Sequence, residues 1–488
     1  MRSQETKIIA VGGGLSGLNF VANATTALGE DTKVSLIETR NKSGGRTIRS
    51  MQPHSPMQEL GAFFVYDKDV HDQLISIGAE VRLLADADFF IARNGSIEHC
   101  GKSHGPFGIV DTIAAQLAQL SHNTSIELAL SENETYKRLD RTMQRIISTI
   151  LESDLAASLD KVGVSSLRFD GQTVTNSASI KDPMFGICLR ESFSSLAGEL
   201  RKQCGSEIRY SVHLEGVGLA DGRVTLHLVD KKSTRAFCEK ADKLYLGLPL
   251  PGLQKLTFFE DGAARCPLTE KLSKNQQRAV SMLDMGDAIK ITVPVEGFVI
   301  PERDLFSIAL DPRPDCAIRC GEVWGLPMPS YADKPADAPY GQTQIIMMYL
   351  GGTQALDLRN RLVEAKRAEA NLPKLLNYLV KDYLEKNLGI SPERVGKVHI
   401  SMWLNRNGGR GAYSYIKADN QPSDFNPRAQ FTEPPFGVIH IGGSDFSEEE
   451  PTLTGGAQAS ALVHLEEIQR ERDKNPRRAP PSDLTLSL

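Results

Sequence analysis

Apolar and polar positions follow three rhythms along the 488-residue chain, and each rhythm predicts a different element. At the N-terminus, TKIIAVGGGLSGLNFVANATTALGEDTKVSLIE runs from an apolar segment through a glycine turn and a helical stretch into a second apolar segment. This predicts strand, helix, strand, one βαβ unit. Period-two alternation governs SEIRYSVHLEGVGLADGRVTLHLVD, with Ala-Asp-Gly as its hairpin turn. KADKLYLGLPL then supplies a buried strand that Pro249 and Pro251 end. A small antiparallel sheet followed by a parallel strand is expected. Helical periodicity marks about residues 70 to 189, including the amphipathic ETYKRLDRTMQRIISTILESDLAASL, and about 355 to 390. FGVIHIGGSDFSEEEPTLTGGAQASALVHLEEIQRERD reads as strand, loop, helix, and the proline-rich, polar NPRRAPPSDLTLSL as a disordered tail.

Composition narrows the class. With 40% hydrophobic and 24% charged residues the chain reads as soluble and globular. A net charge of -5 from well-mixed signs offers no basic face, which excludes a nucleic-acid partner. The seven cysteines are odd in number and scattered, against a disulfide framework and for a reducing, cytoplasmic setting. Cys316 and Cys320 have no nearby His or Cys pair, so no metal is expected. No stretch approaches the roughly 18 apolar residues of a membrane span.

Gly12, Gly14 and Gly17 form G-x-G-x-x-G between the first predicted strand and helix, with Ser16 inside the turn and Glu38 at the end of the next strand. Glycines admit a pyrophosphate close to the backbone, the helix N-terminus offers N–H groups and a positive dipole, and Glu38 accepts from ribose hydroxyls. A dinucleotide site follows.

The stretch ETRNKSGGRT, with Gly44, Gly45 and Arg46 directly after the ribose acid, resembles the flavin-binding pattern of FAD-dependent amine oxidases, protoporphyrinogen oxidases and phytoene desaturases. The resemblance implies FAD, with these three residues along its pyrophosphate and flavin side. QELGAFFV, residues 58 to 65, is similar to the strand that passes near the flavin, and Val212 matches the residue whose backbone holds adenine. HIGGSD and TGGAQASA resemble the C-terminal flavin signature. This implies Gly443, Ser444 and Asp445 near the ribityl-phosphate, and Thr454, Gly456 and Ala457 opening a helix whose dipole, on the order of 1 kcal/mol, favours the reduced flavin.

WLNRNGGRGAYSY, residues 403 to 415, is similar to the amine oxidase stretch in which a tryptophan precedes a glycine turn and an aromatic residue. The resemblance implies that Trp403 packs by the flavin, that Tyr413 is one wall of an aromatic cage, and that Lys290 bonds through water to flavin N5. It also carries departures. Ala412 stands where monoamine oxidases attach flavin through cysteine, so FAD is expected to be noncovalent. Thr452 and Leu453 stand where a second cage aromatic belongs, and Phe63 and Phe64 where L-amino acid oxidases place a carboxylate-gripping arginine, a part left to Arg190 or Arg410. Glu448, Glu449 and Glu450 lie where a second cationic group would be attracted.

The fold implied is α/β, a Rossmann-like FAD-binding domain with a discontinuous substrate domain of mixed sheet and helices. Residues 1–69, 190–290 and 400–469 make the first, 70–189 and 291–399 the second, and 470–488 a disordered tail. The activity implied is oxidation of an amine to an imine by hydride transfer to FAD N5, with O2 as acceptor, giving aldehyde or ketone, ammonia or amine, and H2O2. An L-amino acid oxidase, a decarboxylating amino-acid monooxygenase, a carbon-carbon dehydrogenase and a catalytically reduced flavin-binding scaffold are the alternatives. The sequence leaves a homodimer open.

Overall fold

The computed structural model describes residues 6–29, 31–47, 61–62, 64–65, 67–83, 87–93, 96–100, 105–169, 186–190, 193–204, 208–260, 265–297, 299–300, 303, 305–327, 343–404, 411–449 and 454–474. The opening βαβ unit forms as expected: β1 (Thr6–Val11), α1 (Leu15–Leu28) and β2 (Thr32–Glu38), with the two strands paired in parallel. β1 is apolar without alternation because both its faces are covered. Ile8 and Ala10 enter the core beneath α1, while Ile9 and Val11 enter the opposite core.

Around β1 a five-stranded parallel sheet assembles in the order Ile439–Ile441, Lys243–Leu246, β1, β2, Ile208–Tyr210. Segments distant in sequence thus converge on one sheet. The predicted hairpin is Val212–Ala220 against Arg223–Asp230. Its two loop residues, Asp221 and Gly222, both have positive φ, 53° and 71°, as a type I′ turn requires.

A seven-stranded mixed sheet runs in the order His399–Trp403, Ala288–Glu296, Thr343–Gly351, Glu322–Leu326, Phe306–Leu310, Asp88–Arg93, Ser96–Cys100. Its last two strands come from the helix-rich stretch, which is therefore not helical throughout. The long amphipathic segment is also broken, into Glu134–Lys137 and Arg141–Leu155, because the Asp140 side chain accepts from Met143 N and caps the second helix. Helices Gly352–Arg367 and Leu372–Leu388 fill the second predicted helical region.

Two placements differ from expectation. Strands Ala288–Glu296 and His399–Trp403 both lie in the seven-stranded sheet, so Lys290 and Trp403 reach the site from that side rather than from the nucleotide sheet. The last helix runs Thr454–Lys474, so residues 470–474 are helical, where the sequence reading began the tail; residues 475–488 lie outside the described residues. Among the described residues no helix is long and apolar enough to cross a membrane.

Candidate active site

The carboxyl ends of the parallel strands and one end of the seven-stranded sheet enclose a cavity of about 580 Å3. This is the place where open α/β sheets receive ligands, and the size suits a cofactor. From the first glycine turn come Gly12, Gly14 and Ser16, and from the end of β2 comes Glu38. Gly44, Gly45, Arg46, Val212, Gly443, Ser444, Thr454 and Ala457 continue the wall, and Phe64, Lys290, Trp403 and Tyr413 close its far end.

At the nucleotide end the turn is built for close approach. A Cβ on Gly17 would stand 2.0 Å from the Gly12 carbonyl oxygen, so Gly17 seats α1 against the turn and does not line the cavity. Gly45 has φ +57°, and a Cβ there would lie 2.8 Å from the Gly14 Cα, which makes the two glycine motifs one cradle. Glu38 Oε2 accepts from Gly13 N at 2.7 Å and Oε1 from Arg40 N at 2.8 Å. These bonds fix the carboxylate at the cavity wall with acceptor sites remaining.

Arg46 ties the glycine cradle to the far end. Its Nη1 donates to the Ala412 carbonyl at 2.8 Å, and its Nη2 donates to Ser444 Oγ at 2.7 Å and lies 2.9 Å from Asp445 Oδ1. Asp445 is fully buried and lies behind the wall, where its other oxygen accepts from Leu250 N at 3.1 Å. Asp445 itself does not line the cavity, and its oxygens face Arg46 and the Leu250 backbone.

At the far end, Lys290 is 4% exposed and its Nζ donates to the Gly61 carbonyl at 3.1 Å. A lysine so buried requires a partner, and Gly61 belongs to the segment predicted to pass the flavin. Register pairs Lys290 with Tyr349 across the sheet, and the Tyr349 and Tyr413 rings lie 6.5 Å apart at 41°. Burial pushes the Tyr413 phenol above its ordinary range, against the lowering effect of its bond to Tyr349. Trp403 and Ala412 pack with both tyrosines.

Tyr349 is a cavity residue that sequence reading missed; the available signal was its place in the apolar strand that pairs with the Lys290 strand. Leu248, Pro249 and Leu256 also line the cavity, although the prolines read only as strand terminators. Glu448 and Glu449 are exposed and do not line the cavity, contrary to the expectation that they attract a second cation. Phe63, Thr452, Leu453, Glu450 and Arg410 lie outside the described residues, as does the Arg190 side chain.

A long cavity with a backbone cradle and the Glu38 carboxylate at one end and aromatic side chains at the other fits a flavin cofactor. The family model for flavin containing amine oxidoreductases matches residues 45–462, and the chain belongs to that family of flavin oxidoreductases acting on amines. No curated protein matches the chain by sequence. Among solved structures, wild-type putrescine oxidase bound to putrescine superposes with TM-score 0.69 at 15% identity, over 95% of this chain and 98% of that one. Cyclohexylamine oxidase from Brevibacterium oxydans IH-35A gives TM-score 0.70 at 15% identity, over 96% and 100%. At such identity the likeness shows the fold.

Proposed function

We propose that the cavity holds FAD noncovalently and that the chain oxidises a neutral amine lacking an α-carboxylate. The observation that carries this reading is the chamber of Lys290, Tyr349, Trp403 and Tyr413 at the end of the cavity opposite Glu38. Bound there, a flavin would supply a two-electron acceptor for hydride from the amine α-carbon, with O2 as the final acceptor giving H2O2. The amine would give up an N–H proton together with that hydride, both ending in H2O2, and the resulting imine adds water and separates into carbonyl product and ammonia or amine.

The chain's own residues orient and desolvate. Tyr413 and Tyr349 present aromatic surface to the amine, and a neutral amine enters such a chamber at lower desolvation cost than an ammonium. Lys290, whose Nζ donates to Gly61 O, would hold a water against a bound flavin. Two arginines line the cavity among the described residues, and both are engaged: Arg46 as above, and Arg40 with Glu38 Oε1 at 3.3 Å. That supports an amine without a carboxylate to clamp.

None of the seven cysteines lines the cavity, which supports noncovalent FAD, and none is in a disulfide, which supports a reducing, cytoplasmic setting. The division into a cofactor unit and a substrate unit is part of the same reading, with Lys290 and Trp403 moved to the substrate side. The test is anaerobic titration of the purified protein with amines, diamines and L-amino acids while the flavin absorbance is followed. Bleaching by amines supports the proposal. Bleaching by L-amino acids alone favours the amino acid oxidase alternative, and bleaching by neither sinks both.

A further inference from the structure

Away from the cavity, on the outer strand Ile439–Ile441 of the nucleotide sheet, His440 faces the last helix, and both His464 and Glu467 turn toward it. His440 is 0% and His464 3% exposed, while the Glu467 side chain is 23% exposed on the solvent side. Three atoms converge: His440 Nδ1 and His464 Nδ1 at 3.4 Å, His440 Nδ1 and Glu467 Oε2 at 3.5 Å, His464 Nδ1 and Glu467 Oε2 at 3.6 Å. We propose that this triangle binds a tetrahedral divalent transition-metal ion, zinc by its donor set.

The spacing decides between a metal site and a hydrogen-bonded brace. A charge-assisted hydrogen bond to a carboxylate is about 2.7–2.9 Å long, so the two edges to Glu467, at 3.5 and 3.6 Å, are too long for good ones, and the His440–His464 edge at 3.4 Å is a long contact as well. Ligand atoms bonded at about 2.0–2.1 Å stand about 3.4 Å apart around a tetrahedral ion and about 2.9 Å apart at octahedral right angles. The observed edges match the first, which favours zinc over an octahedral iron site made of the same donors.

Orientation agrees. His464 Nε2 lies 3.0 Å from the Ile441 carbonyl, so Nε2 carries the proton and Nδ1 presents its lone pair into the triangle. That is the outer bond by which ligand histidines are normally held. With a lone pair on His464 and a carboxylate on Glu467, a single proton on His440 Nδ1 reaches only one of the two acceptors that face it, whereas one cation meets all three atoms. Lys243, a cation close enough to act on His440, is already held by Glu471 and by the Gly437 carbonyl at 2.6 Å.

Such an ion joins the last helix to the sheet one helical segment away from the cavity. The same helix lines the cavity through Thr454 and Ala457, and its Ser460 Oγ accepts from Gly443 N at 3.0 Å. Zinc is therefore expected to raise the melting temperature and slow flavin loss.

The test uses the flavin-loaded full chain, dialysed against Zn2+ and then against buffer, with metal per chain measured by mass spectrometry. About one zinc per chain is expected, and Glu467→Gln and His464→Asn should each retain about tenfold less at unchanged flavin content. Zinc retention equal in wild type and Glu467→Gln, or none in wild type, overturns the proposal and leaves a brace. Because His464→Asn perturbs a buried position, the wild-type chain is also loaded with Co2+. Intense visible bands of tetrahedral cobalt support the site, and only weak octahedral bands overturn its geometry.

Discussion

Arg46 Nη2 and Asp445 Oδ1 stand 2.9 Å apart, one partly exposed at the cavity and the other fully buried behind it. The pair joins the second glycine motif to the C-terminal motif, and Arg428 donates to the Asp445 backbone carbonyl from the other side. Removing the carboxylate leaves the Arg46 guanidinium with two neutral acceptors in a partly desolvated place. Losing one member of a buried pair costs about 3–5 kcal/mol, less here because Arg46 reaches solvent. Asp445→Asn, which keeps an acceptor for Leu250 N, is expected to weaken flavin binding about tenfold or more. Flavin retained per chain after gel filtration measures it, and full retention would make the pair dispensable.

Gly45 tests the cradle separately. A methyl group there meets Gly14 Cα at 2.8 Å on a backbone with φ +57°, whereas Gly78, at φ +78°, has nothing within 4 Å of its Cβ position. Both substitutions to alanine carry the left-handed penalty of roughly 1 kcal/mol. Only Gly45→Ala separates the two glycine motifs, so it alone is expected to lose flavin. Equal flavin content in both variants would show that contact between the motifs does not shape the site.

These contrasts show what a linear reading reaches. The β1 run, the Ala-Asp-Gly hairpin and the glycine turn are local patterns, and the structure keeps each of them. Lys290 and Trp403 were legible as residues but not as members of one sheet, because their pairing through Ala288 and Trp403 spans more than a hundred positions. Tyr349 carries no motif; its register opposite Lys290 selects it. His464 and Glu467 stand at i, i+3 on the last helix, but His440 is twenty-four residues from His464, so only the docking of helix on strand brings the three together.

Lys290→Met preserves the stem in its strand and removes the ammonium from Gly61 O. Under the proposed function, either flavin reduction by amine or reoxidation by O2 slows about tenfold or more, with flavin content unchanged. Stopped-flow measurement of the two half-reactions shows which. If both rates are kept, the lysine serves only to brace Gly61.

Tyr413→Phe removes the hydroxyl that meets Tyr349 and keeps the ring. If the ring surface is what receives the amine, turnover falls only slightly, whereas Tyr413→Ala raises KM and lowers kcat together. Loss of flavin from Tyr413→Ala would reassign the residue to structure.

Glu322 gives a pH signature distinct from the active site. It is 6% exposed at the start of strand Glu322–Leu326 of the seven-stranded sheet, where Ser307 Oγ donates to its Oε1 at 3.4 Å. Burial pushes its carboxyl from 4.5 up to about 7, against the lowering hydrogen bonds of Trp324 and Ser307. Between those values the folded chain holds a proton that the unfolded chain has released, so stability falls as pH rises from about 4.5 to 7 and stays low above. At about 1.4 kcal/mol per pH unit this is on the order of 3 kcal/mol. Glu322→Gln, neutral at every pH, is expected to match wild type near pH 5 and to unfold at higher urea than wild type at pH 8. If the two urea midpoints keep the same separation at both pH values, the carboxyl is ionised in the folded chain and its burial is offset by partners other than a proton.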